Sequence, residues 1–234
     1  MINGVANGQP ARKVFFFDID NCLYSKSYKI HERMSELIDN YFQSHLGLDK
    51  EDATMLHQRY YKDYGLAIEG LVRHHKVDPL EYNAKVDDAL PLEDIIEPNP
   101  DLRKLLEDID RSKIKPWLFT NAYVNHAKRV VKLLQIEDMF EGVTFCDYGA
   151  EKLLCKPDPK MFEKAMQEAG AAHSGDCYFV DDSALNCRGA KAFGWNVAHL
   201  VEPGVKAPPE RACDHQIANL AELRTIFSEA FKSP

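Results

Sequence analysis

The chain has 234 residues, of which 45% are hydrophobic and 28% are charged. This composition is typical of a globular protein and excludes a disordered or a fibrous chain. The 29 basic and 37 acidic residues give a formal net charge of −8, so the overall charge does not favour nucleic acid or an anionic membrane as a partner.

The cysteines and the N-terminus indicate a protein of a reducing compartment. No two of the six cysteines are spaced as Cys-x-x-Cys, which argues against a structural zinc site. They are Cys22, Cys146, Cys155, Cys177, Cys187 and Cys213. The N-terminal residues lack the basic and apolar regions of a signal peptide, and no apolar stretch approaches the length that spans a bilayer. We expect free thiols and a cytoplasmic protein, with a nuclear location also open.

In chain order, residues 1–12 are predicted to be a flexible leader, and four short apolar runs that follow are predicted to be buried parallel strands. The runs lie at residues 14–17, 117–119, 143–145 and 178–180. Helical patterns at residues 127–134 and 161–169 alternate with them. The predicted fold class is therefore α/β, with a Rossmann-like doubly wound parallel sheet whose strands end together at a ligand site.

Residues 25–98 interrupt this alternation with helical patterns alone. Helical periodicity is found at residues 30–42, 53–64, 66–75 and 79–90. We predict an all-helical cap inserted after the first strand, and a catalytic core formed by residues 13–24 and 99–234. Because the insertion leaves the sheet beside the first acidic strand end, it is expected to lie over the site as a lid does.

The polar residues at the strand ends form a complementary set. Asp18 and Asp20 stand two apart, so on a continuing strand both carboxylates point to one side and need a cation. Alone, such a pair is more often two exposed loop acids. The other strand ends and the segment before residue 157 add Thr120, Asn121, Lys156, Asp181 and Asp182. Together, hydroxyl and amide donors, one cation and several carboxylates describe phosphoryl transfer to a carboxylate beside a hard metal ion.

These residues resemble the four motifs of the haloacid dehalogenase-like phosphatase superfamily. The motifs read Asp18-Ile19-Asp20, Thr120-Asn121, Lys156-Pro157 and Asp181-Asp182-Ser183, and the resemblance covers about residues 13–200. Longer strings at residues 16–24, 60–67 and 117–122 are similar to the fungal pyrimidine 5′-nucleotidase type. The resemblance implies a helical cap on the core, Mg²⁺ as the cofactor, and hydrolysis of pyrimidine nucleoside 5′-monophosphates such as UMP and CMP through an aspartyl-phosphate.

The resemblance also implies roles for single residues. Asp18 would be the nucleophile, and Asp20 would protonate the leaving oxygen and then activate water. The phosphate would be bound by Thr120, Asn121 and Lys156. The metal ligands would be Asp18, Asp20 and Asp182. Asp181 and Asn186 would support those ligands, because Asn186 stands where many members have a carboxylate; Asn21 is a second departure from the commoner wording.

Several alternatives stay open at the level of sequence. The same chemistry could serve a sugar phosphate, lysophosphatidic acid or a phosphomutase intermediate, and the fold could also serve a non-catalytic binding protein. Tyr60 and Tyr64 share a helix face and could flank a base, although core packing explains them equally well. His126 is expected to be structural. We expect a small-molecule nucleotide substrate, no nucleic-acid or membrane partner, and a monomer or a weak dimer.

Overall fold

The computed structural model describes residues 12–233 and contains a six-stranded parallel sheet. The strands are β1 (Lys13–Phe17), β2 (Ile114–Phe119), β3 (Val143–Thr144), β4 (Cys177–Asp181), β5 (Asn196–Leu200) and β6 (His215–Ile217). Their order in the sheet is β3-β2-β1-β4-β5-β6, which is the doubly wound order of Rossmann-like folds. The predicted fold class is confirmed.

The helices fall into two groups along the chain. Those between β1 and β2 that precede residue 99 are α1 (Ile30–Leu46), α2 (Lys50–Tyr64), α3 (Ala67–His75) and α4 (Pro79–Lys85). Those of the sheet region are α5 (Pro100–Glu107), α6 (Val124–Leu133), α7 (Pro159–Ala169), α8 (Ala184–Ala192) and α9 (Leu223–Ile226). The second group covers the sheet, which explains why its central strands are apolar on both sides.

Strand β1 separates two layers of the core. Phe15 and Phe17 belong to one cluster of buried side chains, and Val14 and Phe16 belong to another. Successive side chains of a strand point to opposite faces, so this division follows from the run of four apolar residues. All four are 0% exposed, and the strand therefore holds Asp18 rigidly at its end.

Helices α1 to α4 form a third cluster that also includes side chains of the sheet region. Phe42 and Tyr60 pack in this cluster together with Tyr148 and Cys155, which lie in the segment between β3 and α7. At the end of α2, Gly65 has a φ of +80°, and a Cβ there would lie 2.7 Å from the carbonyl oxygen of Lys156. Only glycine permits this approach. The helical insertion is thus joined closely to the segment that carries Lys156, while its boundaries at residues 25 and 98 remain predictions.

The structure differs from the sequence-based expectations in a few elements. Strands β5 and β6 were not predicted, because Asn196 and His199 interrupt the apolar pattern of β5 and β6 has only three residues. Helix α4 ends at Lys85 rather than near residue 90. The predicted leader falls almost wholly outside the described residues.

Two findings concern the cysteines and membrane insertion. All six cysteines are free, as the sequence predicted, and all six are buried. Within residues 12–233, no helix combines the length and the apolar character that crossing a bilayer requires.

Candidate active site

The order of the strands places the first and the fourth acidic motifs side by side. Strand β1 pairs with both β2 and β4, and the main-chain N–H of Asp18 donates to the carbonyl of Val180 at 3.0 Å. The change in strand order between β1 and β4 is the position at which doubly wound sheets bind ligands. Asp18, Asp181 and Asp182 therefore meet at one edge of the sheet.

Lys156 lies at the centre of this group and is fully buried. Its Nζ donates to Asp18 Oδ1 at 2.7 Å, to Asp181 Oδ2 at 2.7 Å and to the carbonyl of Phe119 at 2.8 Å. Burial lowers the pKa of Lys156, but the charges of Asp18 and Asp181 outweigh burial and raise it overall. All three ammonium donors thus have protein acceptors, so the predicted contact with phosphate requires one of these hydrogen bonds to be exchanged.

Three carboxylates form a compact group that suits a divalent cation. Asp18, Asp181 and Asp182 each offer an oxygen atom, and these atoms lie within 4.8 Å of one another. Burial, followed by the charge of Asp181, raises the pKa of Asp18 well above its usual range, and the charge of Lys156 opposes this shift. The same two causes raise the pKa of Asp182 to about 7, and Lys26 opposes that shift. Lys26 contacts Asp182 at 2.8 Å. Crowded carboxylate oxygens are the ligands that Mg²⁺ prefers, so the residues present fit that ion.

The carboxylate of Asp20 is not part of this group, so the role of Asp20 as a metal ligand stays a prediction. Its Oδ1 accepts hydrogen bonds from the hydroxyl of Tyr24 at 2.7 Å and from Nε2 of His126 at 2.7 Å. Burial raises the pKa of Asp20, but the charge and hydrogen bond of His126 outweigh burial and lower it overall. The two carboxyl groups of the Asp-x-Asp motif therefore have different surroundings, which is the condition for different chemical roles.

Thr120 and Asn121 follow β2 directly and have unlike environments. Thr120 is buried, and its Oγ1 accepts a hydrogen bond from the N–H of Ala122 at 2.9 Å, which leaves the hydroxyl proton to be donated. The side chain of Asn121 instead bonds the main chain of Lys156, accepting from its N–H at 2.7 Å and donating to its carbonyl at 2.9 Å. Asn121 therefore positions Lys156, and because its amide nitrogen carries a second hydrogen, its contact with phosphate stays a prediction.

The structure accounts for Asn186 and Asn21, the two residues that depart from the commoner wording of the motifs. The amide of Asn186 donates to both carboxylate oxygens of Asp181 at 3.1 and 3.2 Å, and the N–H of Ser183 donates to the same carboxylate at 2.7 Å. Asn186 thus holds Asp181 in place and is not a member of the carboxylate group. Asn21 has a φ of 56°, a left-handed conformation that asparagine tolerates better than most residues.

Of the two alternatives for Tyr60 and Tyr64, the contacts of both residues favour packing within the cap. The ring of Tyr60 packs against Gly70, and its hydroxyl is 2.7 Å from Nε2 of His75. The hydroxyl of Tyr64 is 2.8 Å from Nε2 of His74. Neither tyrosine lines the cavity beside Asp18, because both join α2 to α3. The neighbouring Tyr61 does line that cavity and lies near Ser183.

The cavity beside Asp18 has a volume of about 540 Å³. Its polar end is formed by the carboxylates, Thr120 and Lys156. The side chains that the cap contributes to its other end include His31, Met34, Ile38, His57, Tyr61 and Tyr82. Its size lies within the range of pockets for small organic ligands.

Three residues contact the site without having been predicted to do so: Tyr24, His126 and Tyr61. Two of them had a usable signal. Tyr24 follows Asp20 by four residues, and His126 lies in the first turn of the helix that begins just after Thr120 and Asn121. A polar side chain there faces the carboxyl edge of the sheet, where ligands bind. Tyr61 had no such signal, because helical periodicity shows which residues share a face and not where that face points.

Fold and site together define a capped α/β hydrolase. The chain belongs to the haloacid dehalogenase-like hydrolases, whose family model matches residues 12–194. It is 45% identical over 202 residues to Phosphate metabolism protein 8 of Saccharomyces cerevisiae, and this match covers 82% of the chain and 63% of that protein. The chain thus spans less than two thirds of the length of this relative.

Solved structures share the fold at low sequence identity. A HAD phosphatase from Thermococcus onnurineus has a TM-score of 0.59 and 20% identity, over 94% of this chain and 100% of that one. L-2-haloacid dehalogenase from Xanthobacter autotrophicus has a TM-score of 0.57 and 15% identity, over 93% and 99%. Since these two enzymes have different names and one fold, the fold alone does not identify the substrate.

Proposed function

We propose that this protein is a Mg²⁺-dependent phosphatase that hydrolyses pyrimidine nucleoside 5′-monophosphates to nucleoside and phosphate. The observation that carries the proposal is the position of Asp18, whose carboxylate is held by Lys156 at 2.7 Å and faces a cavity large enough for a nucleotide. The 45% identical yeast relative is named for phosphate metabolism, which supports a phosphate-containing substrate.

In the first half of the reaction, a carboxylate oxygen of Asp18 attacks phosphorus and the bond from phosphorus to the ribose oxygen breaks. Asp20 donates a proton to that ribose oxygen, so the nucleoside leaves as a neutral alcohol. In the second half, Asp20 takes a proton from water as the water oxygen attacks the aspartyl-phosphate. Inorganic phosphate and the free Asp18 carboxylate result, and Asp20 regains its starting state.

Electrostatic stabilisation comes from the residues around Asp18. Mg²⁺, held by Asp18, Asp182 and the neighbouring Asp181, would neutralise charge on the phosphoryl group and the nucleophile. The hydroxyl of Thr120 has a proton to donate to a phosphoryl oxygen. Lys156 balances the buried carboxylates and can transfer one hydrogen bond to the phosphoryl group.

The cap end of the cavity favours a nucleoside as the leaving group. Met34, Ile38 and Tyr82 provide an apolar and aromatic wall, while His31 and His57 add hydrogen-bonding groups. A base offers both a flat apolar face and polar edges. An acyl chain would make no use of the polar groups of the two histidines, and a small sugar would leave the apolar wall in contact with water.

A panel of phosphate monoesters tests this proposal. Release of phosphate would be measured with Mg²⁺ from UMP, CMP, AMP, glucose 6-phosphate, lysophosphatidic acid and p-nitrophenyl phosphate. We expect the highest kcat/KM for UMP and CMP, and no turnover by Asp18→Asn. A higher kcat/KM for the sugar phosphate or the lysolipid would replace the substrate class, and a lack of turnover on every ester would favour a binding protein.

A further inference from the structure

We propose that His126 is a positioning residue that holds the carboxyl group of Asp20 so that one defined oxygen faces the leaving group. The inference rests on the proposed phosphatase function, in which Asp20 transfers the proton. It goes further by explaining which part of the fold orients that proton.

The hydrogen bonds of Asp20 are concentrated on one atom. Both Tyr24 and His126 donate to Oδ1, each at 2.7 Å. To donate to a carboxylate, His126 must carry its proton on Nε2, which assigns that tautomer. With two hydrogen bonds on Oδ1, rotation of the carboxyl group is restrained, and Oδ2 is the oxygen left for the substrate.

The burial of His126 distinguishes it from a residue that contacts substrate. Its side chain is 0% exposed, whereas that of Asp20 is 30% exposed. His126 therefore acts on the reaction only through Asp20. Its Nδ1 is buried and has no hydrogen-bond partner within residues 12–233. A buried polar atom without a partner is unfavourable, so packing alone would be served better by an apolar side chain of this size.

The position of His126 in the chain links it to the phosphate end of the site. It lies in the first turn of α6, which follows Thr120 and Asn121 with little intervening chain. The same segment thus carries the donor for the phosphoryl group and the support for the acid, although Asp20 itself is 106 residues away. The short segment from Thr120 to His126 then sets the position of the phosphorus atom relative to Asp20, the proton donor.

The proton that Asp20 delivers matters only for some leaving groups. Cleavage of UMP releases an alkoxide oxygen, which needs a proton as the bond to phosphorus breaks. Cleavage of p-nitrophenyl phosphate releases a stabilised phenolate, which does not. Loss of a correctly placed Asp20 should therefore slow the first half of the reaction for UMP far more than for the aryl ester.

Two substitutions of His126 form a matched pair. In His126→Gln the amide nitrogen reaches the position of Nε2, whereas in His126→Asn it reaches only the position of Nδ1. The quantity to measure is kcat/KM, because it includes only the steps up to release of the alcohol and excludes hydrolysis of the aspartyl-phosphate. We expect His126→Asn to lower kcat/KM for UMP by about 10²-fold, to lower it by at most about threefold for p-nitrophenyl phosphate, and His126→Gln to restore most of the loss.

The outcomes separate the two proposals. An equal fall for both esters in His126→Asn, with no recovery in His126→Gln, would show that His126 is merely structural and overturn the positioning role while the phosphatase stands. If the parent protein hydrolyses no phosphate ester, the proposed function itself fails. Should His126→Asn not fold, the apolar His126→Leu replaces it, and an unchanged UMP to p-nitrophenyl phosphate ratio in His126→Leu, compared with a lowered ratio in Asp20→Asn, would overturn the role.

Discussion

At the scale of single residues, Lys156 controls the charge balance of the site. Its ammonium group is fully buried between Asp18 and Asp181 and donates all of its hydrogen bonds to the protein. Burial raises the pKa of Asp18, and the charge of Lys156 opposes that shift. Lys156 therefore contributes to the stability of the fold and, in the proposed mechanism, supports the nucleophile Asp18.

Replacing Lys156 with methionine should affect both properties. The Lys156→Met variant leaves buried carboxylates without a partner, and we expect it to lose about 3–5 kcal/mol of stability near neutral pH. We also expect kcat to fall, since the phosphoryl group loses a stabilising charge. Urea unfolding and steady-state kinetics measure the two effects, with the exposed Lys160→Met as the control. A rise in KM at unchanged kcat would reassign Lys156 to ground-state binding.

Asp87 provides a pH-dependent prediction of stability. It lies in the turn after α4, its Oδ2 has no partner within the described chain, and burial raises its pKa to about 7. The unfolded state, with a pKa of about 3.9, releases this proton first as the pH rises. The ionised carboxyl is disfavoured in the fold, so Asp87 destabilises the native state increasingly between these two pKa values.

Removing that charge should stabilise the protein at high pH. We expect the stability of Asp87→Asn relative to the parent to increase by about 2 kcal/mol between about pH 5 and pH 8. Urea unfolding at the two pH values measures this difference. The exposed Asp94→Asn is the control. If the difference in stability between Asp87→Asn and the parent did not grow with pH, the claim that the fold buries Asp87 in its uncharged form would be wrong.

At the scale of secondary structure elements, α2 divides its tyrosines between two tasks. Tyr60 and Tyr64 bond the histidines of α3 and hold the cap together. Tyr61 is 46% exposed and lines the cavity. The same helix therefore supplies both the packing of the cap and a side chain that can contact the leaving group.

Substituting these tyrosines should separate the two tasks. We expect Tyr61→Ala to lower kcat/KM for UMP and CMP by about tenfold, the order of one lost aromatic stacking contact on a base. The value for p-nitrophenyl phosphate should fall less. Tyr64→Ala, the matched control, should lower the Tm and change all three substrates by a similar factor. If Tyr64→Ala instead lowered kcat/KM for UMP and CMP more than for p-nitrophenyl phosphate, and Tyr61→Ala did not, Tyr64 would be the residue that contacts the base.

At the scale of the whole molecule, metal binding should be linked to stability. The three carboxylates come from the ends of β1 and β4, and their mutual repulsion disfavours the folded state until a cation binds. An ion that binds only the folded protein stabilises it by about 2.7 kcal/mol at 100 times its Kd. For a chain of this size that corresponds to a rise in Tm of about 5–10 °C.

Thermal unfolding with and without Mg²⁺ measures this linkage. Because the pKa of Asp182 is raised to about 7, Mg²⁺ competes there with a proton, and we expect a larger Tm shift above that pH than below it. Asp182→Asn should lose most of the shift, and NaCl of equal ionic strength should not reproduce it. Chelation of Mg²⁺ should abolish phosphatase turnover. An equal Tm shift in Asp182→Asn would place the ion elsewhere.

The sequence alone was enough to predict the sheet, the helical insertion and the convergence of Asp18 and Asp181. These features follow from local rules. A continuous apolar run predicts a buried parallel strand, and parallel strands bring their carboxyl ends to one edge. The polar residues after such runs must therefore meet, whatever the details of packing.

Only the tertiary structure decided what each side chain contacts. The sequence could not show that Asp20 is held by His126, that Lys156 uses all its donors within the protein, or that Tyr61 rather than Tyr64 faces the cavity. Each of these contacts joins segments far apart in the chain or depends on how a helix is rotated against its neighbours. Periodicity shows which residues share a face, but packing between elements sets the direction of that face.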